Sequence, residues 1–118
     1  MKILICDDSQ FIRKRLFTIL SELNFEIEEA KDGAEALDLI TSNNYDLILL
    51  DLLMPNVTGK EVLEKMFDDK IKTPVIVLSA DIQETTLNYC YEKGAVAFLT
   101  KPPKTEELIE TVKKVLNL

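Results

Sequence analysis

The sequence predicts an α/β domain built on a parallel sheet with helices on both faces. Three observations predict it. Short apolar runs alternate with helix-period segments five times over. Four of the five runs are nearly continuous hydrocarbon, the pattern of strands covered on both sides. The helical segments open on readable capping signals.

The first run, Lys2–Cys6, is expected as a strand, followed by a helix whose apolar stripe is Ile12, Leu16, Ile19, Leu20 and Leu23. Phe25-Glu26-Ile27-Glu28 alternates apolar and acidic residues, so this second strand is half-exposed and belongs at a sheet edge. Asp32 with Glu35 fits a side-chain cap paired with Glu three residues later, and opens the second helix. Tyr45–Leu50 is the third strand, and Thr58 with Glu61 opens the third helix. Pro74–Leu78 is the fourth strand. Asp81 with Glu84 reads as the next cap, and Gly94 stands where that helix should stop. Ala97–Thr100 is the fifth strand. Thr105 precedes Glu106 and Glu107, placing negative charge at the start of a last helix striped by Leu108, Ile109, Val112, Val115 and Leu116.

Length and charge narrow the function. With 118 residues and neither linker nor repeat, the expectation is one domain, 1–118. A net charge of −7 argues against direct nucleic-acid binding or adhesion to anionic membranes, and suits a basic partner or a divalent cation. No apolar run approaches the roughly 20 residues needed to cross a bilayer, and no signal peptide precedes the first strand. Cys6 and Cys90 lack metal-ligand spacing and are expected as reduced packing thiols in a cytoplasmic protein. With no histidine, the chain cannot build Ser-His or Cys-His nucleophiles, or transfer phosphoryl groups through its own imidazole.

In open α/β sheets, ligands bind outside the carboxyl ends of the strands, so the residues at those ends carry the functional signal. Strand one ends in Asp7-Asp8, strand three in Asp51, strand four in Ser79-Ala80, and strand five in Lys101-Pro102. Asp51 stands between Leu47-Ile48-Leu49-Leu50 and Leu52-Leu53-Met54-Pro55, a lone carboxylate in hydrocarbon. It is a strand end reaching water, half of a buried ion pair, or a reactive group. Three carboxylates on one edge repel each other unless a cation joins them. Oxygen ligands with open positions suit Mg²⁺. A carboxylate beside Mg²⁺ and an ammonium can attack phosphorus to give an aspartyl phosphate. Singly, the bland readings compete: Asp7-Asp8 and Ser9 as a helix start, Lys101 as a surface ammonium, Ser79 as a turn residue.

The acidic pair Asp7-Asp8, the strand-end Asp51, the Met54-Pro55 and Gly59 turn, Ser79-Ala80, Gly94-Ala95 and Lys101-Pro102 together resemble the receiver domain of two-component response regulators. The simplest expectation is a stand-alone regulator acting by protein contact, similar to the chemotaxis or sporulation-relay type. The resemblance covers the whole chain. It implies a flavodoxin-like, doubly wound sheet in the order 2-1-3-4-5 with five helices. It implies Asp51 as phosphoacceptor, with Mg²⁺ (Mn²⁺ able to substitute) held by Asp8, Asp51 and the Leu53 carbonyl, and by Asp7 through a bound water. Lys101 would pair with the phosphoryl group, its bond to Pro102 would be cis, and Ser79 with Phe98 would form the switch. The implied output face is helix four, strand five and helix five. The implied partners are a histidine kinase or histidine phosphotransfer protein and an unidentified output protein, with the chain a monomer or a phosphorylation-driven homodimer.

Several positions depart from the family's habit. Phe98 stands where Tyr is common and lacks a ring hydroxyl. Leu53 and Asp81, two residues beyond Asp51 and Ser79, flank the route of attacking water in this family. Apolar Leu53 is expected to lengthen the phosphoryl lifetime, and Asp81 to repel or orient the water. Pro103 is expected to stiffen the loop before the last helix.

Other classes fit less well. A haloacid-dehalogenase-type phosphatase wants Asp-x-Asp after strand one, where this chain reads Asp7-Asp8-Ser9. A flavin-binding protein wants a phosphate loop there, which Asp7-Asp8 would repel. A degenerate scaffold would lack site residues, and all are present. A receiver cut from a longer regulator is the alternative to a stand-alone one.

Overall fold

Side chains alternate along each central strand, and that alternation divides the apolar residues into two cores. The computed structural model describes residues 1–118. The elements run β1 (Lys2–Cys6), α1 (Gln10–Ser21), β2 (Glu26–Ala30), α2 (Gly33–Ser42), β3 (Leu47–Asp51), α3 (Gly59–Asp68), β4 (Val75–Ser79), α4 (Glu84–Glu92), β5 (Ala97–Thr100) and α5 (Thr105–Val115). All neighbouring strands are parallel, in the order β2-β1-β3-β4-β5. This is the flavodoxin-like architecture expected from the sequence.

Leu4, Cys6, Ile48, Leu50, Val75 and Val77 face one way and meet Ala36 and Ile40 of α2, Val62, Leu63 and Met66 of α3, and Cys90 of α4. Ile3, Ile5, Leu47, Leu49, Ile76 and Leu78 face the other way, against Leu16 and Leu20 of α1 and Leu108 and Val112 of α5. Each fully buried Leu or Ile contributes about 1.5–3 kcal/mol by leaving water. With every residue of β3 and β4 buried, the strand ends are fixed firmly enough to hold a site.

β2 lies at the edge, as its alternation predicts. Its Glu28 is held by the Lys2 ammonium at 2.8 Å and by the Tyr45 hydroxyl, which donates at 2.6 Å. Asp32 and Thr58 cap α2 and α3 through the backbone N–H groups of Glu35 and Glu61. Gly94 closes α4 with φ +98°, a conformation glycine adopts without penalty.

Some boundaries differ from the sequence reading. Asp81 does not cap α4. Its carboxylate accepts the Gln83 N–H at 3.0 Å and the Thr86 hydroxyl at 2.8 Å, making a turn ahead of a helix that starts at Glu84 with Gln83 at the cap position. The same side-chain chemistry serves a turn and a cap, so the sequence pattern fits both. Thr105 opens α5, and Glu106 and Glu107 occupy its first turn, as expected. Asp51 and Ser79 are the last residues of their strands, while Tyr45 and Pro74 lie outside them, and β2 runs on to Ala30.

Candidate functional site

The carboxyl ends of β1, β3, β4 and β5 deliver the polar groups. Asp51 closes β3 at 4% exposure, Asp7 comes directly after β1 at 1%, and Ser79 closes β4, also buried. Asp8 beside them is exposed. Carboxylate oxygens of Asp7, Asp8 and Asp51 all lie within 4.8 Å of one another. Lys101, after β5, reaches in from the far side, with Nζ at 2.7 Å from Asp7 Oδ2 and 3.3 Å from Asp51 Oδ2. The Lys101–Pro102 peptide bond is cis.

Backbone contacts hold the acidic groups. The Asp7 N–H donates to the Ala30 carbonyl at 3.1 Å, and its Oδ1 accepts the Ser9 N–H at 2.8 Å. Its carbonyl accepts from Arg13 Nη1 at 2.7 Å. Asp7 Oδ2 has the Lys101 ammonium beside it but no aligned hydrogen bond, so a buried carboxylate oxygen is left with charge compensation alone. Asp51 Oδ1 accepts the Leu53 N–H at a long 3.4 Å. Behind Asp51, α3 begins against the strand end. A Cβ on Gly59 would stand 2.0 Å from the Asp51 carbonyl oxygen, so only glycine permits this approach.

The electrostatics arise from this crowding. Burial, then the Asp7 charge, pushes the Asp51 carboxyl up to about 6, against the opposing pull of Lys101 and the Leu53 N–H. Burial alone would lower the Lys101 pKa, yet Asp7 and Asp51 together hold it above that of an ordinary lysine. Lys101 is therefore an ammonium at any physiological pH. One ammonium against three carboxylates leaves the pocket negative. With the incompletely satisfied Asp7 Oδ2, it is a donor set suited to a hard divalent cation.

Beside this centre, Ser79 Oγ accepts the Asp81 N–H at 3.0 Å, and Thr86, itself buried, ties Asp81 to α4. The Gln83 N–H, then Thr86, holds the Asp81 carboxyl below the usual range. Phe98 is half-buried against the core beneath α3 and α4. Leu53 stands 73% exposed at the rim. The sequence alone does not single out Arg13, Glu29 or Thr86, whose partners are chosen by the fold.

Residues 3–113 match the family model of the response regulator receiver domain. The chain belongs to that family. The receiver is similar to the transcriptional regulatory protein SrrA of Staphylococcus aureus, with 41% identity over 116 residues, covering 98% of this chain and 48% of that protein. It thus spans about half the length of this relative. Among solved structures, a Francisella response regulator receiver domain is 36% identical with a TM-score of 0.93, covering 98% of this chain and 96% of that one. The Thermotoga maritima response regulator TrrA, solved in complex with Mg²⁺–BeF, is also 36% identical, with a TM-score of 0.88 and 98% coverage of both chains. The receiver is accordingly a signalling domain of a two-component response regulator, and no helix in it is long and apolar enough to cross a membrane.

Proposed function

We propose that this receiver is a cytoplasmic phosphorylation switch in which Asp51 accepts a phosphoryl group from a histidine kinase, a histidine phosphotransfer protein or a small acyl phosphate. The observation that carries the reading is the convergence of Asp7, Asp8 and Asp51 within 4.8 Å, with Lys101 Nζ in contact with two of them. At pH 7 most Asp51 carboxyl groups are ionised, as a nucleophile must be. An Asp51 oxygen attacks phosphorus, and an O–P bond forms. The bond from phosphorus to the donor nitrogen or oxygen breaks, its electron pair staying with the donor. Hydrolysis reverses the modification: water attacks phosphorus, inorganic phosphate leaves, and the carboxylate is restored. No metabolite is turned over.

Asp8, Asp51 and the Leu53 carbonyl would hold Mg²⁺ (or Mn²⁺), with Asp7 acting through a bound water. When bound, the ion supplies positive charge opposite the transferring oxygens. Lys101 exchanges its contact with Asp51 for one with the new phosphoryl group. The Ser79 hydroxyl, now turned toward the Asp81 N–H, rotates to donate to that group, and Phe98 moves into the space it leaves. The altered surface of α4, β5 and α5 then binds an output protein. The test is intact-mass measurement after incubation with Mg²⁺ and acetyl phosphate. A gain of one phosphoryl group in wild type and none in Asp51→Asn supports the assignment; no gain in wild type overturns it.

The 48% coverage of SrrA favours a second reading of context: the same switch as the receiver module of a longer regulator, whose output would be carried by the remainder. Domain 1–118 is the phosphorylated unit in either case. Its own acidic surface argues against direct contact with nucleic acid. Whether it acts as a monomer or as a phosphorylation-driven homodimer is read by sizing the protein with and without acetyl phosphate.

A further inference from the structure

We propose that Arg13 is a positioning residue for the acidic loop, and that Glu29 on the edge strand aims it; this rests on the metal-dependent site proposed above. Arg13 lies in the first turn of α1, where its N–H closes the first helical bond onto the Ser9 carbonyl. Its guanidinium is largely buried, with the side chain 15% exposed. One nitrogen, Nη1, donates to the Asp7 carbonyl at 2.7 Å. Another, Nε, donates to Glu29 Oε1 at 3.0 Å.

Only a forked donor fits both ends of this link. Guanidinium presents several N–H groups in a rigid plane, so one face can grip a main-chain carbonyl while the other is fixed by a carboxylate. A hydrogen bond from a charged donor at 2.7 Å is among the stronger kinds. It falls on the peptide unit joining Asp7 to Asp8, the two residues that bring two of the three carboxylates to the pocket. The other tethers of Asp7 secure its N–H to Ala30 and its side chain to Ser9 and Lys101. Arg13 is the side chain that holds the main chain between the acidic pair. Asp8 is exposed, and none of its side-chain atoms has a hydrogen bond or ion pair in the structure, so its direction depends on this peptide.

Charge alone and positioning predict opposite results. A cation near a metal site repels the metal, so deleting Arg13 would tighten Mg²⁺ binding if charge were its whole effect. If Arg13 positions Asp8, deletion weakens binding by about tenfold, the low end of what outer-shell partners contribute. A strut that only joined α1 to β2 would lower the denaturation midpoint and leave Mg²⁺ affinity of the folded protein unchanged.

The experiment is calorimetric titration of the whole chain with Mg²⁺ alone, with denaturation midpoints measured alongside. Arg13→Ala is expected to raise the Mg²⁺ dissociation constant about tenfold. Arg13→Lys, which can reach one partner but not bridge both, is expected to fall between it and wild type. Glu29→Gln is expected to raise the constant severalfold alone and not at all on top of Arg13→Ala, because it acts through the guanidinium. An unchanged or lower constant in folded Arg13→Ala overturns the inference. If that variant does not fold, Glu29→Gln decides, and an unchanged constant there overturns it. Wild-type protein that binds no Mg²⁺ refutes the proposed function itself, whereas normal wild-type binding with unmoved variants refutes only the role of Arg13.

Discussion

Replacing Asp51 with Asn should make the metal-free protein more stable, although it removes the proposed phosphoacceptor. The Asp51 carboxyl titrates at about 6 in the folded chain, against an ordinary value of 3.8, because burial and Asp7 oppose its charge more than Lys101 favours it. The folded state therefore binds this proton more tightly than the unfolded state does. The resulting destabilisation is present in full above pH 6, diminishes as pH falls through 6, and is gone below 3.8. A displacement of roughly two pH units corresponds to about 3 kcal/mol at pH 7, at about 1.4 kcal/mol per unit. Relaxation and water around the exposed Asp8 reduce this, so a gain of about 1–3 kcal/mol is expected. For 118 residues each kcal/mol moves the melting temperature by about 4 °C. Thermal unfolding of wild type and Asp51→Asn in EDTA, at pH 7 and pH 4.5, is the assay. The variant should melt about 4–12 °C higher at pH 7, and the gap should contract at pH 4.5. Adding Mg²⁺ at pH 7 should raise the wild-type midpoint and narrow the gap. An Asp51→Asn protein equal to or less stable than wild type at pH 7 without metal would refute the view that this carboxylate is held under repulsion.

Three further substitutions probe neighbouring parts of the site. Lys101→Met removes the ammonium between Asp7 and Asp51 and should cost about 2–3 kcal/mol at pH 7 in urea unfolding, with an accompanying loss of phosphorylation by acetyl phosphate. A wild-type phosphorylation rate in this variant would contradict its assigned role. Gly59→Ala forces a Cβ against the Asp51 carbonyl and should cost about 1–3 kcal/mol, read from the same urea curves; an unaffected midpoint would mean that α3 can shift freely. Leu53→Asn places a polar group at the exposed rim and should shorten the phosphoryl lifetime severalfold, followed as phosphate release from purified phosphoprotein. An unchanged rate would remove Leu53 from the account.

Much of the fold and the site is legible in the sequence, for physical reasons that differ by residue. Leu47 to Leu50 are hydrocarbon on both faces because helices cover both faces, so the run itself announces a central strand. Glu26 and Glu28 announce an edge because only an edge leaves their side in water. Asp32 and Thr58 announce helix starts because a cap is a local hydrogen bond spanning three residues. Asp81 misleads for the same reason, since a local acceptor can close a turn as well as open a helix. The carboxyl ends of parallel strands converge by topology, which is why Asp7, Asp8, Asp51, Ser79 and Lys101 can be grouped before any side chain is placed. The hidden part is long-range and directional. Lys101 pairs with Asp7 from the opposite end of the chain. Arg13 finds Glu29 and the Asp7 carbonyl only once β2 lies beside β1. Tyr89 meets Glu64 across the α3–α4 seam, which no spacing within either helix could indicate.

Asp51, and no other carboxylate of the acidic cluster, is the group proposed to carry the phosphoryl group. Borohydride reduces an acyl phosphate at aspartate to homoserine, a permanent mark of the modified side chain. Phosphorylated protein should therefore be reduced, digested and mapped by mass spectrometry. Homoserine at position 51, dependent on Mg²⁺ and acetyl phosphate, is the predicted result. Homoserine at position 7 or 8, or an unmodified position 51 in protein that has gained phosphate, would contradict the account.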